Sequence, residues 1–249
     1  MKLAGLDVGS RYIKYAVLDS DESPRFFREE TGYDPLPACK RLVEETAPGL
    51  VVATGYGRHL ASADMGLPTI TEIKAVARGA REVFPSCRTI VDVGGQDTKI
   101  VLLKADGSVE NFEMNDRCAA GTGKFLEIMA HTLGFSIEEF GVRCETGPQV
   151  AINSMCAVFA ESEVITLIGK GVGREFIATA LHNSIVSRIL PLANRVGVVE
   201  DVVFAGGCAR DGCLNKILAE RLGKSVLVYE HPDMLSAYGA ALYALDSTS

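Results

Sequence analysis

Leu6-Asp7-Val8-Gly9-Ser10, with Lys14 beyond it, and Val91-Asp92-Val93-Gly94-Gly95, with Lys99 beyond it, are one strand-turn-strand signature written twice, 85 residues apart. In each copy an apolar run reaches an Asp, turns through small residues and continues in a second apolar run, at 15–18 or 100–103. A β-hairpin with a small-residue tip accounts for both. Backbone N–H groups at such a tip can approach an anion, and an adjacent Asp can hold a hydrated metal ion. The pair therefore suits a Mg-nucleotide between two similar lobes.

Outward from these hairpins the pattern predicts strands near 3–7, 12–19 and 24–30, a helix at 36–46, a strand at 50–53 and a helix at 72–83. The order recurs in strands near 89–93, 98–104 and 109–114, an inserted helical region, a strand at 202–205 and further helices. Asp106-Gly107 marks a tight turn in the second set. The expected class is α/β, a duplicated two-lobe fold. Its first lobe would be 1–85, rejoined by a C-terminal helix at 235–249, and its second 86–234. The stretch 115–199 has no counterpart in the first half, so special function is sought there. The arrangement resembles the acetate kinase, hexokinase, Hsp70 and actin superfamily, an actin/Hsp70-like, ribonuclease H-like fold in which two lobes close over ATP. The resemblance makes Asp7 to Lys14 its first phosphate motif, Asp92 to Lys99 its second, and Ala205-Gly206-Gly207 its adenosine motif.

The chain has 249 residues, 47% hydrophobic and 23% charged, enough for two modest cores. A formal charge of −7 without a Lys/Arg stripe argues against nucleic acid as a partner. No run approaches the roughly 20 apolar residues of a membrane span, and Met1-Lys2-Leu3 leads into a strand rather than a signal sequence. The expectation is a cytoplasmic protein without a membrane partner. Seven cysteines, an odd number, argue against a disulfide framework in a reducing compartment, and no Cys-x-x-Cys occurs. Cys39, Cys87 and Cys144 read as small buried hydrophobes.

At the first tip Asp7 is assigned to the Mg shell and the Gly9, Ser10 and Arg11 backbone to the β- and γ-phosphates, with Lys14 adding charge. An ordinary hairpin with a Gly turn is the plain alternative. At the second tip Gly94, Gly95 and Gln96 would surround the γ-phosphate, Asp92 or Asp97 would position metal or attacking water, and Gln96 would orient that water. The segment from Cys118 to Lys124 is not a P-loop, which needs Gly at Cys118 and Ser or Thr at Phe125. Gly121, Thr122, Gly123 and Lys124 read instead as a helix N-terminus whose backbone donors face a phosphate. At Gly206 and Gly207 the adenine can lie against bare backbone. Arg210 either stacks on it or is a solvated helix-start residue.

Cys118 and Cys156 share a context, each just before an expected helix (122–133 and 158–168). A helix N-terminus lowers a thiol pKa, which suits a metal ligand. Two thiolates are too few for a cubane, which takes four, and a two-fold dimer supplies the other pair. The segments Asn115-Asp116-Arg117-Cys118-Ala-Ala-Gly-Thr-Gly-Lys-Phe-Leu-Glu and Cys156-Ala-Val-Phe-Ala-Glu-Ser-Glu-Val-Ile closely resemble the ATPase activators of 2-hydroxyacyl-CoA dehydratases and the ATPase subunits of benzoyl-CoA reductases. Thr54-Gly-Tyr-Gly-Arg58 and Thr71-Glu72-Ile73 extend the likeness. Val76 departs from it, standing where the family pattern leads one to expect His. The resemblance implies one [4Fe-4S] cluster held by Cys118 and Cys156 between the subunits of a homodimer. It also implies ATP/ADP with Mg, reduction by ferredoxin or flavodoxin, and delivery of a low-potential electron to a larger iron–sulfur acceptor enzyme, for which a 2-hydroxyacyl-CoA dehydratase, a benzoyl-CoA reductase and another double-cubane protein all fit. Cys208 and Cys213 receive no role from it. The rival readings are a small-molecule kinase of the same fold and a nucleotide-sensing scaffold without a cluster.

Overall fold

The computed structural model describes residues 2–20, 22–142, 144, 150–154 and 156–248. These divide into two compact units, one of 1–88, 103–110 and 229–249, the other of 89–102 and 111–228. The segment 103–110, which the sequence assigned to the second lobe, thus groups with the first unit.

In the first unit β1 (Leu3–Val8) runs antiparallel to β2 (Tyr12–Leu18), which runs antiparallel to β3 (Arg25–Glu30), while β4 (Leu50–Thr54) lies parallel on the other side of β1. β1 is buried along its length, as its central place demands, and β3 alternates because it is an edge. Helices α1 (Leu36–Thr46), α2 (Arg58–Met65) and α3 (Glu72–Val83) follow in chain order. Thr71 caps α3 by accepting the Lys74 N–H, and Val76 is buried on that helix. The sequence pattern missed α2. It is eight residues long, bounded by Gly57 and by a left-handed Gly66, and buries Ala61 alone, so it carries little periodicity.

The second sheet has the order β7-β6-β5-β8-β9. β5 (Thr89–Val93) is antiparallel to β6 (Thr98–Leu103) and parallel to β8 (Val202–Ala205), with β7 (Val109–Asn115) and β9 (Val226–Val228) at the edges. Its core packs against α4 (Gly123–Thr132), α5 (Ile137–Val142), α6 (Ala157–Gly169), α7 (Arg174–Val196) and α8 (Gly212–Leu222). α7 is long and apolar enough to cross a membrane by length and composition. It carries Arg174, Glu175, Arg188 and Arg195, and 61% of its most apolar window is buried, with Ile177, Leu181, Ile185 and Ile189 in the core.

The C-terminal helix α9 (Leu235–Asp246) belongs to the first unit and lies on α3 and β1. That approach needs glycine. A Cβ on Gly79 would overlap the Leu235 carbonyl oxygen, and one on Gly239 the Ala75 carbonyl oxygen.

Candidate functional site

The β1–β2 register sets Asp7 directly opposite Lys14, and Lys14 Nζ lies 2.9 Å from Asp7 Oδ2. Asp7 is 1% exposed, and its Oδ1 is buried without a hydrogen-bond partner among the described residues. The Oγ1 of Thr54, its parallel neighbour on β4, is in the same condition. Two buried oxygens left unsatisfied side by side are costly unless an exogenous donor or cation serves them. They suit the water shell of a Mg ion, and the cradle is kept open by Gly55, where a Cβ would run into Asp7 Oδ1. At the tip the Gly9 N–H donates to the Tyr12 carbonyl at 3.1 Å and closes the hairpin. Gly9 is therefore not the free donor that the sequence suggested. Ser10 and Arg11 are exposed there.

The second hairpin repeats the pair with a change. Asp92 stands opposite Lys99, whose Nζ lies 2.7 Å from Asp97 Oδ2 and 3.7 Å from Asp92 Oδ2, with the Lys99 side chain only 2% exposed. One buried cation thus serves both carboxylates that were candidates for positioning metal or water, while Gln96 is exposed. The Gly94 N–H donates to the Asp97 carbonyl at 2.9 Å and closes this turn as Gly9 closes the first.

The strands at 50–53 and 202–205, which the sequence order already matched, also end in equivalent glycines that the sequence reading did not pair. Val51-Val52-Ala53-Thr54-Gly55 and Val202-Val203-Phe204-Ala205-Gly206 hold equivalent places, since Asp7 registers with Thr54 and Asp92 with Ala205. Gly206, like Gly55, has a positive φ (83° and 86°), and a Cβ on it would meet Asp92 Oδ1. The shared Val-Val-x-x-Gly was the available signal.

The segment after Cys118 corrects a second expectation. The Gly123 N–H donates to the Gly94 carbonyl and the Lys124 N–H to the Gly95 carbonyl, both at 2.9 Å. The Thr98 hydroxyl donates to the Gly121 carbonyl at 2.6 Å. Thr122 is fully buried, and its N–H bonds the Ala119 carbonyl. The Gly123 and Lys124 donors, proposed above for a phosphate, instead fasten the segment to the second tip. Cys208, in the turn Gly207–Arg210, packs at the same place, its Sγ 3.8 Å from the Gly94 carbonyl. Burial, with the Asp211, Asp92 and Glu127 charges behind it, pushes that thiol's pKa far up, so it stays protonated.

Cys118 and Cys156 are exposed and outside any disulfide, whereas Cys39, Cys87 and Cys208 are buried. Cys156 takes the N-cap position of α6, but Cys118 precedes a single 3-10 turn, Ala119–Gly121, and α4 begins only at Gly123. Cys144 is not the lone buried hydrophobe expected, because it forms a disulfide with Cys213, 69 residues away. Among the described residues no group of three or more His, Cys, Asp or Glu side chains could hold a metal ion. Within one chain, Cys118 and Cys156 can offer only part of a cubane's ligand set.

The chain belongs to the BadF/BadG/BcrA/BcrD ATPase family, whose model matches residues 4–244, and it is an ATPase of that family. It is 43% identical to the activator of lactoyl-CoA dehydratase of Anaerotignum propionicum, over 99% of this chain and 98% of that protein. It is similar to the crystal structure of the Acidaminococcus fermentans (R)-2-hydroxyglutaryl-CoA dehydratase component A (TM-score 0.91, 35% identity, 99% and 98% covered). It is also similar to the activator of the 2-hydroxyisocaproyl-CoA dehydratase from Clostridium difficile with bound ADPNP (TM-score 0.89, 37% identity, 99% and 95% covered). The fold is the expected actin/Hsp70-like α/β ATPase fold; solved structures only 12–17% identical share it with TM-scores of 0.52–0.63.

Proposed function

We propose that this ATPase is a low-potential one-electron donor: two copies share one [4Fe-4S] cluster through Cys118 and Cys156 and pass its electron to a larger iron–sulfur enzyme. The acceptor class is the one its relatives' names carry, a 2-hydroxyacyl-CoA dehydratase. Ferredoxin or flavodoxin supplies the electron, in the cytoplasm. The observation that carries this reading is the partition of the thiols. Cys118 and Cys156 are exposed and in no disulfide, and the other cysteines are buried or bonded to one another. Thiolates are the ligands that an iron–sulfur cluster takes, and two per chain fit a cluster completed by a second copy. Beside Cys156, Val158 and Phe159 are each 68% exposed, an apolar surface suited to such a second copy.

The cluster, when bound, supplies the one-electron carrier. Asp7, with its unsatisfied Oδ1, holds the water shell of Mg at the first tip, and Ser10, Arg11 and Lys14 take phosphate oxygens. Gly95 and Gln96 take the γ-phosphate at a turn that the Gly94 N–H closes, Asp92 and Asp97 position metal and water, and Gly206, Gly207 and Arg210 receive the adenosine. The carbonyls of Gly94 and Gly95 bond Gly123 and Lys124, so a shift of that tip pulls on the segment that begins at Cys118. A nucleotide moves such an equilibrium only by binding its states unequally. The test is chelation of iron from the anaerobically loaded protein with ADP and with a non-hydrolysable ATP analogue. Different rates support coupling, and identical rates reduce the protein to a nucleotide-binding iron–sulfur carrier.

A further inference from the structure

Arg188, on α7, reaches both cysteine segments. Its Nη2 donates to the carbonyl of Ser154, two residues before Cys156, and its Nη1 to the carbonyl (2.6 Å) and hydroxyl of Ser184. Its stem packs on the turn that follows Cys118, where a Cβ added to Gly121 would lie 3.6 Å from Arg188 Cβ and 3.9 Å from Cδ. The guanidinium carbon stands 5.7 Å from the centroid of Phe125, which is buried on α4. Arg188 Nε is buried with no hydrogen-bond partner among the described residues. Burial draws the Arg188 pKa down, and Cys118 opposes this.

The segment before Cys156 is fixed from the other side as well. The Glu163 carboxylate accepts the Ser154 hydroxyl at 2.8 Å, the Ser154 N–H at 3.1 Å and the Asn153 N–H at 3.1 Å. Ser154 therefore sits between an anion on α6 and a cation on α7. A planar fork with several N–H groups can serve Ser184 and Ser154 together while its stem covers Gly121, which a lysine ammonium cannot do.

We propose that Arg188 is the positioning residue of the cysteine pair: it clamps the loop entering Cys156 to the turn leaving Cys118 and keeps a permanent positive charge between the two segments. This rests on the cluster reading above for its redox consequence and not for the clamp itself. A fixed cation favours the more negative, reduced state of a bound cluster, and the spare Nε–H is a charge-assisted donor for an anionic ligand.

Arg188→Gln and Arg188→Lys test this in the full-length chain by two readouts. In the metal-free protein, hydrogen exchange of peptides covering 116–123 and 152–158 should rise about tenfold in both segments in Arg188→Gln, the scale of a lost charge-assisted hydrogen bond. In the iron-loaded protein, the reduced-to-oxidised ratio at a fixed poise should fall about tenfold in Arg188→Gln, or 59 mV for one electron. Arg188→Lys should restore that ratio to within about threefold, since the charge returns, and leave exchange fast, since the fork does not. Faster exchange in one segment only, or in neither, overturns the clamp. An unchanged ratio in loaded, folded Arg188→Gln overturns the charge role. A wild-type chain that takes up no iron sinks the cluster reading alone, and the exchange result then decides the inference.

Discussion

Lys99 is the side chain whose loss the second hairpin should tolerate least. It is 2% exposed and lies 2.7 Å from Asp97 and 3.7 Å from Asp92, whose side chains are 29% and 7% exposed. Lys99→Met keeps most of the stem and removes the charge, leaving two carboxylates facing one another with little water. Removing one partner of a buried pair costs about 3–5 kcal/mol, and Asp97, which can turn toward solvent, brings the expectation to about 3 kcal/mol. Asp97→Asn in the same background removes the new repulsion, so the double variant should recover about 1–2 kcal/mol relative to the sum of the singles. A chain of two units need not unfold in one step, so the assay is native-state hydrogen exchange on peptides from 89–103. Lys99→Met should exchange there about a hundredfold faster, since about 1.4 kcal/mol is a factor of ten. A change under threefold, or strict additivity in the cycle, would refute the view that one buried cation holds both acids.

Asp7→Asn and Asp92→Asn should each abolish Mg-dependent ATP turnover with the fold intact, and wild-type hydrolysis in either folded variant would remove that assignment. Gly206→Ala places a Cβ against Asp92 Oδ1 and the Val93 carbonyl at φ 83°. It should lose roughly 2 kcal/mol or more, read by thermal melting, and a melting point within a degree of wild type would contradict the close approach. Burial pushes the Cys39 thiol up to about 11 and the Cys208 thiol further. Folded thiols that hold their proton where unfolded ones lose it make the native state bind more protons above about pH 8.5, so stability is full below that pH and falls as pH rises. Cys39→Ala and Cys208→Ala should flatten the fall between pH 8 and 10, and unchanged slopes in urea titrations would count against it.

Much of the architecture was legible because it is periodic. The two Asp–Gly hairpins, β4 and β8, α1 and α3 follow from apolar spacing. Asp7 and Asp92 stood out because each ends an apolar run, and Cys118 and Cys156 because each precedes a helical pattern. What the sequence hid were facts of three-dimensional accounting. Lys99 serving two acids, the Gly9 and Gly94 donors closing their own turns, and the Gly123 and Lys124 donors bonding the second tip are decided by which partner arrives first in space. Cys144 and Cys213 lie 69 residues apart, and no spacing rule pairs them. Arg188 drew no reading from the sequence, because only the fold brings Ser154 and Gly121 to it.

The central claim is a shared cluster, and iron counted per chain together with mass in solution tests it most directly. Anaerobically purified or reconstituted protein should be a dimer with four irons per two chains. Cys118→Ala or Cys156→Ala should lose the iron and its EPR signal, while Cys39→Ala and Cys87→Ala, both at buried sites, should keep them. A colourless wild-type protein after strict anaerobic reconstitution, or a monomer that retains four irons, would contradict the account.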